Sequence, residues 1–290
     1  MRASLTAYLQ LISGAVLLST GSTAIKATSF SAVQLAGWRA LVIVVFLALA
    51  VRPARQLYTR ALLPAAAAHA VTTLLFMWGN KLTTAATAIF LQYTAPLYLL
   101  AFGPWLLKEP VQRRDYVFVG ILLMGMLLLL AHPPARAATA PNPVLGGLVA
   151  ACCGVTWALT TLTMRGLARQ PELGFERTMA SVIVANAALA AMLLPLFGFS
   201  DGPPAPRDLG IAVYMGVFQL GLAFILISLG LRKVTALEGS LLLLMEPVLN
   251  PLWVWLVHGE PLGGWSLLGG ALILLATGLR VVLAGQNPGA

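Results

Sequence analysis

A carboxylate stands among aliphatic side chains in LLLLMEPVLNPLWVWLV, residues 241–257, and this makes Glu246 the first residue to consider for a chemical role. A charge at the centre of a bilayer costs about 2.5–3.5 kcal/mol even on mild insertion scales, so such a group is expected to face protein rather than lipid. It would serve either as the partner of a substrate ammonium group or as a carboxyl group that carries a proton. A structural hydrogen bond between helices, which Gln would preserve, is the alternative. Asn250 and Trp253 follow at i+4 and i+7 on the same helical face. His69 and Phe76 share a face with Thr73 and Asn80, Gln92 shares one with Ala88 and Pro96, and Trp157 shares one with Cys153, Thr160 and Met164.

With Trp78 and Tyr98 added, the candidate substrate-cavity residues are Glu246, Asn250, Trp253, Gln92, Trp78, Phe76, His69, Trp157 and Tyr98. Pro96 and Pro247 are expected to bend their helices, each freeing a carbonyl one turn earlier. Several of these residues have plainer readings. His69 is read first as a packed or carbonyl-bonded histidine, and Gln92 could bond a neighbouring helix. Trp78, Trp157 and Trp253 suit lipid-facing packing equally well. Arg39, inside an apolar run, is read as snorkelling outward more than as binding substrate.

Other chemistries find no support. No G-x-x-x-x-G-K-[ST] phosphate loop occurs, so the chain is not expected to use ATP. No His/Cys/Asp/Glu cluster has metal-ligand spacing. Neither a catalytic group, a metal nor a cofactor is therefore expected, and an enzyme acting on lipid-linked substrates is a remote alternative. Cys152 and Cys153 are adjacent, too close for an ordinary disulfide, and read as small packing residues. The net charge of +9 comes from basic residues scattered at the ends of apolar runs, which does not suit nucleic acid.

The elements that must position these residues follow from composition. Of 290 residues 59% are hydrophobic and 9% charged, against roughly 25% charged in a soluble domain. The expectation is an all-α integral membrane protein, because only helices and closed barrels satisfy backbone groups in lipid and the apolar runs do not alternate as barrel strands do. Ten spans can be placed, at roughly 4–25, 33–51, 61–80, 84–106, 114–131, 144–164, 174–197, 208–230, 236–257 and 263–283. Taking connections alternately, one set carries thirteen Lys and Arg residues and the other four, with Arg39 inside a span. The positive-inside rule then puts both termini in the cytoplasm.

The chain also repeats itself. A shift of 151 residues superposes Gly79, Thr84, Ala85, Leu91, Pro96 and Glu109-Pro110 on Gly230, Thr235, Ala236, Leu242, Pro247 and Glu260-Pro261. Ala95 falls on Glu246, so one copy alone carries the buried acid. Two halves of five spans, 1–136 and 137–290, must enter the membrane from opposite sides, and they form an inverted repeat.

A span opening after K-x-x-T-A-x-x-A-x-F-L-Q, prolines at 96 and 247, span ends at Glu109 and Glu260, and Gly-rich final spans (Gly120 and Gly125; Gly269, Gly270 and Gly278) resemble the EamA-type members of the drug/metabolite transporter superfamily. The Gly expected before the terminal Glu is present as Gly259 but replaced by Lys108 in the first half. The resemblance implies a secondary transporter with its path between the halves, working by alternating access in the bacterial inner membrane. The expected cargo is a small metabolite, an amino acid first, with aromatic ones favoured through similarity to the aromatic amino-acid exporter branch and through the aromatics Phe76, Trp78, Tyr93, Tyr98, Trp157 and Trp253 near the expected path. Export of organic cations or drugs, with Glu246 as counter-charge, is the alternative. The partners expected are that small molecule and the lipid bilayer; the oligomeric state is left open, with a monomer admissible. Glu260, at the membrane edge, is expected to matter much less to transport than Glu246.

The topology has a direct test. Single cysteines in the 132–143 and 199–207 loops are expected to react with an impermeant reagent from the periplasm, and one replacing Arg169 is not. Labelling of all three from one side would contradict the ten-span arrangement.

Overall fold

The computed structural model describes residues 5–95, 97–98, 113–132, 135, 138–168, 173–200, 202–231 and 242–286. Pro96, Glu109 and Lys108 lie outside them. The helices are α1 (Leu5–Ser19), α2 (Gly21–Ala27), α3 (Ala32–Ala50), α4 (Leu63–Leu82), α5 (Ala85–Gln92), α6 (Arg113–Ala131), α7 (Pro143–Ala168) and α8 (Gly174–Phe197). There follow α9 (Pro206–Tyr214), a π-helical segment (Met215–Leu222), α10 (Ala223–Leu231), α11 (Met245–His258) and α12 (Gly264–Gln286). Six stretches among the described residues are long and apolar enough to cross a membrane. Large aliphatic side chains such as Leu49, Leu196 and Leu275 stand 65–69% exposed on the outside, a surface that hydrocarbon rather than water can cover. The chain is a helical membrane protein.

Local sequence sets the helix limits. Ser31 and Gln34 form a reciprocal capping box that starts α3, and the Thr84 hydroxyl accepts from Thr87 N to start α5. Pro64, Pro143 and Pro206 open α4, α7 and α9, where a missing N–H goes unnoticed. α11 ends at Gly259, whose φ of +65° turns the chain sharply.

The packing is reciprocal between the two halves of the chain. α4 lies on α7 as α10 lies on α1, and α5 meets α7 as α11 meets α1. α4 touches α8 as the π segment touches α3, while α3 pairs with α8, α6 with α12 and α5 with α11. Small residues allow the closest of these approaches. A Cβ on Gly125 would sit 2.8 Å from the Gly269 carbonyl oxygen, and one on Gly269 would sit 2.9 Å from that of Gly125.

Four interruptions distinguish the bundle from a set of straight rods. The first span breaks at Thr20, between α1 and α2, and the π segment interrupts the run from α9 to α10. α5 stops at Gln92, with a turn at Tyr93 and Thr94, and α11 begins after a turn at Leu244. Under the 151-residue shift, Tyr93 corresponds to Leu244, so the third and fourth interruptions are equivalent.

Candidate functional site

At the two equivalent interruptions the halves touch. Glu246 occupies the first turn of α11, where unpaired amides and the helix dipole favour a negative group. Tyr93 Oη donates to Glu246 Oε2 at 3.0 Å and approaches the Leu243 carbonyl oxygen at 3.4 Å. That carbonyl lies four residues before Pro247, which has no N–H to offer it. Pro247 is buried in the first turn of α11, just past the turn at Leu244. A second proline, Pro251, lies inside the same helix and removes the partner of the Pro247 carbonyl in the same way. Asn250, one turn beyond Glu246, is completely buried, and neither end of its amide has a hydrogen-bond partner. Gln92, beside Tyr93, is also buried with its Oε1 unpaired.

A second cluster forms at the break in the first span. Ser19 Oγ and Thr20 Oγ1 donate back to Val16 O and Leu17 O at 2.7 and 2.8 Å. Gln219, in the π segment, donates to Leu18 O at 3.3 Å, so three consecutive carbonyls take side-chain donors. Trp253 joins this cluster through Nε1 to Ser19 Oγ at 2.9 Å. A Cβ added at Gly21 would lie 2.9 Å from Gln219 Nε2 and 3.9 Å from the Phe76 ring, which brings Phe76 near this cluster.

The remaining candidates do not join the Glu246 site. His69 is buried, lies 5.9 Å from the Phe224 ring and has no hydrogen-bond partner on either nitrogen, in keeping with the packed reading. Arg39 does not snorkel: it is 4% exposed and reaches Thr73 Oγ1 at 3.4 Å. Trp78 is 55% exposed, on the outer surface of α4. Trp157 is half-buried on α7. Tyr98 packs near Gly154 and its hydroxyl meets Met126 Sδ at 3.8 Å. Ser19 and Gln219 are the residues that sequence reasoning left out of the site, and Tyr93, expected only as one of the aromatics near the path, contacts Glu246 directly. The shift that aligns Ala95 with Glu246 puts Tyr93 two residues away at the same level, and the run Ser19-Thr20-Gly21-Ser22-Thr23 is a helix-breaking signal in its own right.

The sequence pattern of the EamA-like transporter family matches residues 5–131 and again 144–282. The chain belongs to that family. It thereby falls in the drug/metabolite transporter superfamily. An uncharacterised protein of Pseudomonas aeruginosa is 32% identical over 264 residues, covering 88% of this chain and 86% of its own. A protein of Ancylobacter novellus named as the aromatic amino acid exporter YddG is 28% identical over 204 residues, or 70% of this chain and 69% of that one. An uncharacterised transporter of Methanothermobacter thermautotrophicus is 24% identical over 228 residues, 79% of this chain, which spans 65% of that relative's length. A crystal structure at 24% identity shares the fold, with a TM-score of 0.65 over 97% of this chain and 98% of that one.

In this EamA-like transporter, one end of the bundle is tied together by charged groups. Lys26 Nζ lies 3.0 Å from Glu260 Oε2, and both side chains are almost fully buried. Glu260 Oε1 also accepts from Ala85 N at 2.7 Å, at the buried N-terminus of α5, a natural position for an anion. Lys26 donates further to the carbonyls of Thr83 and Thr139. Close by, Lys81 Nζ donates to Thr28 O at 2.7 Å, and Asp208 accepts from the Thr28 hydroxyl and from the Ser29 amide and hydroxyl. Glu260 is thus buried and paired at this end of the bundle. Gly259 turns the chain so that the carboxylate returns into the bundle.

Removing one member of a buried ion pair strands the other, at a cost of about 3–5 kcal/mol. Glu260→Gln and Lys26→Met are therefore expected to lower the thermal stability of the purified transporter markedly, and the double variant to lose less than the two single losses added together. Strictly additive losses in thermal unfolding would show that the two groups act independently.

Proposed function

We propose that this chain is a secondary transporter of ten spans. Residues 1–136 and 137–290 form two inverted five-helix halves with both termini in the cytoplasm, and the protein exports small metabolites across the bacterial inner membrane by alternating access. Amino acids are the favoured cargo, aromatic ones first. The reciprocal packing and the double match to the family pattern support the inverted halves. The printed name of the Ancylobacter novellus relative supports the cargo class.

The observation that carries the reading is Glu246, a half-buried acid at a helix start, met by Tyr93 across two interrupted helices. A substrate ammonium group can replace the Tyr93 hydroxyl on one carboxylate oxygen or take the other. The unpaired amide of Asn250 and the unpaired Oε1 of Gln92 offer neutral partners to the polar end of a zwitterion, and Trp253 supplies an aromatic face one turn farther on. Alternating access then consists of closing one end while opening the other. The Lys26–Glu260 network is what holds the periplasmic end shut, if the charge asymmetry is read as above. An organic cation needs the acid but not the amides, which separates the two cargo classes.

Flux into proteoliposomes of labelled phenylalanine and of a quaternary ammonium compound tests this. Glu246→Gln is expected to lower phenylalanine flux about tenfold or more, the weight of a charge-assisted hydrogen bond, with normal folding. Asn250→Ala is expected to impair phenylalanine while sparing any cation flux. Normal phenylalanine flux by well-folded Glu246→Gln would overturn the assignment.

A further inference from the structure

A cleft of about 470 Å³ lies against α2, α9 and the C-terminal part of α11; neither Tyr93 nor Glu246 lines it, while Trp253 does, together with Thr20, Thr23 and Tyr214. That volume falls in the range of small-ligand sites. Ala24, Ala27, Gly210, Ile211 and Val257 make up its apolar lining. A Cβ added at Gly210 would meet nothing within 4 Å, so that wall is recessed. Arg207, exposed in the first turn of α9, also lines it. The adjacent acid, Asp208, has its oxygens engaged by Thr28 and Ser29. The rim continues into the apolar outer surface: Val257 is 63% exposed, its neighbour Leu256 64% and Val213 47%. Such a rim faces hydrocarbon, so the cleft opens sideways into the membrane rather than toward water.

We propose that this cleft is a phospholipid site, with one acyl chain along Ala24, Ala27, Ile211 and Val257 and the headgroup phosphate paired with Arg207. The chemistry fits at both ends: an apolar trough matches an acyl chain, and a lone guanidinium at its border matches a phosphate, which it can engage in bidentate fashion. Membrane lipid is the occupant in continuous contact with the rim. The site also has a mechanical consequence. Its walls and floor belong to the elements whose ends carry Lys26, Asp208 and Glu260, so a bound lipid braces the outer end in its tied arrangement.

Native mass spectrometry of the full chain, equilibrated with phosphatidylglycerol or phosphatidylcholine, reads the site without reference to substrate. The wild type is expected to retain one lipid and to prefer phosphatidylglycerol about five-fold, the weight of one basic residue against an anionic headgroup. Arg207→Gln should lose that preference, and Gly210→Leu, which grows into open space, should lose the lipid adduct. Glu246→Gln should retain lipid as the wild type does, so the site stands or falls separately from the proposed cargo. Lipid retention and preference unchanged in both Arg207→Gln and Gly210→Leu would overturn the proposal, as would loss of lipid from Glu246→Gln alone.

Discussion

A helix interrupted inside a bilayer leaves carbonyl groups that only the protein can satisfy, and the architecture around Glu246 is organised by that constraint. Pro247 denies a partner to the Leu243 carbonyl, and the Tyr93 hydroxyl comes to it from the matching interruption in the other half while donating to Glu246. At the break after α1 the same need is met by Ser19, Thr20 and Gln219. Each interruption is thus held by a neighbour that is itself interrupted. Such joints can part and re-form at smaller cost than straight, fully bonded helices, because the donors that leave a carbonyl are side chains and the rest of the helix stays intact.

The halves share a scaffold but not its chemistry. Ala95 stands where Glu246 stands, and Leu244 where Tyr93 stands, so the contact between the two interruptions uses one polar group from each half. The end of the bundle that carries Lys26 shows a similar division of labour. Glu260 caps the start of α5 in the opposite half and pairs with Lys26 from α2, which ties the end of the second repeat to two elements of the first. The tie is electrostatic and local.

Much of this was legible in the sequence, for physical reasons that differ by residue. Apolar runs mark spans because hydrocarbon accepts little else, and Glu246 drew notice because an acid there must be explained. Pro247 marked an interruption because it has no N–H. Tyr93 could be named only as one aromatic among several near the path, because a tyrosine in an apolar run is ordinary until its partner, 153 positions away, is known. Arg39 was read as snorkelling because sequence places it in a span but says nothing of Thr73 beside it. Trp78 shared the residue type of Trp253 yet stands on the outer surface, since helical phase within a bundle is decided by neighbours. The π segment carries no pattern distinct from an α-helix, and Gln219 could be placed only once the fold was known.

The central claim is that Tyr93 and Glu246 act as one unit on the transported molecule. The most direct measurement is a double-mutant cycle on apparent phenylalanine affinity, using Tyr93→Phe, Glu246→Gln and the combined variant in proteoliposomes. The account predicts strong coupling, with the double variant little worse than Glu246→Gln alone, because the hydroxyl matters through the carboxylate it orients. Losses that simply add, or an unchanged affinity in Glu246→Gln, would contradict it.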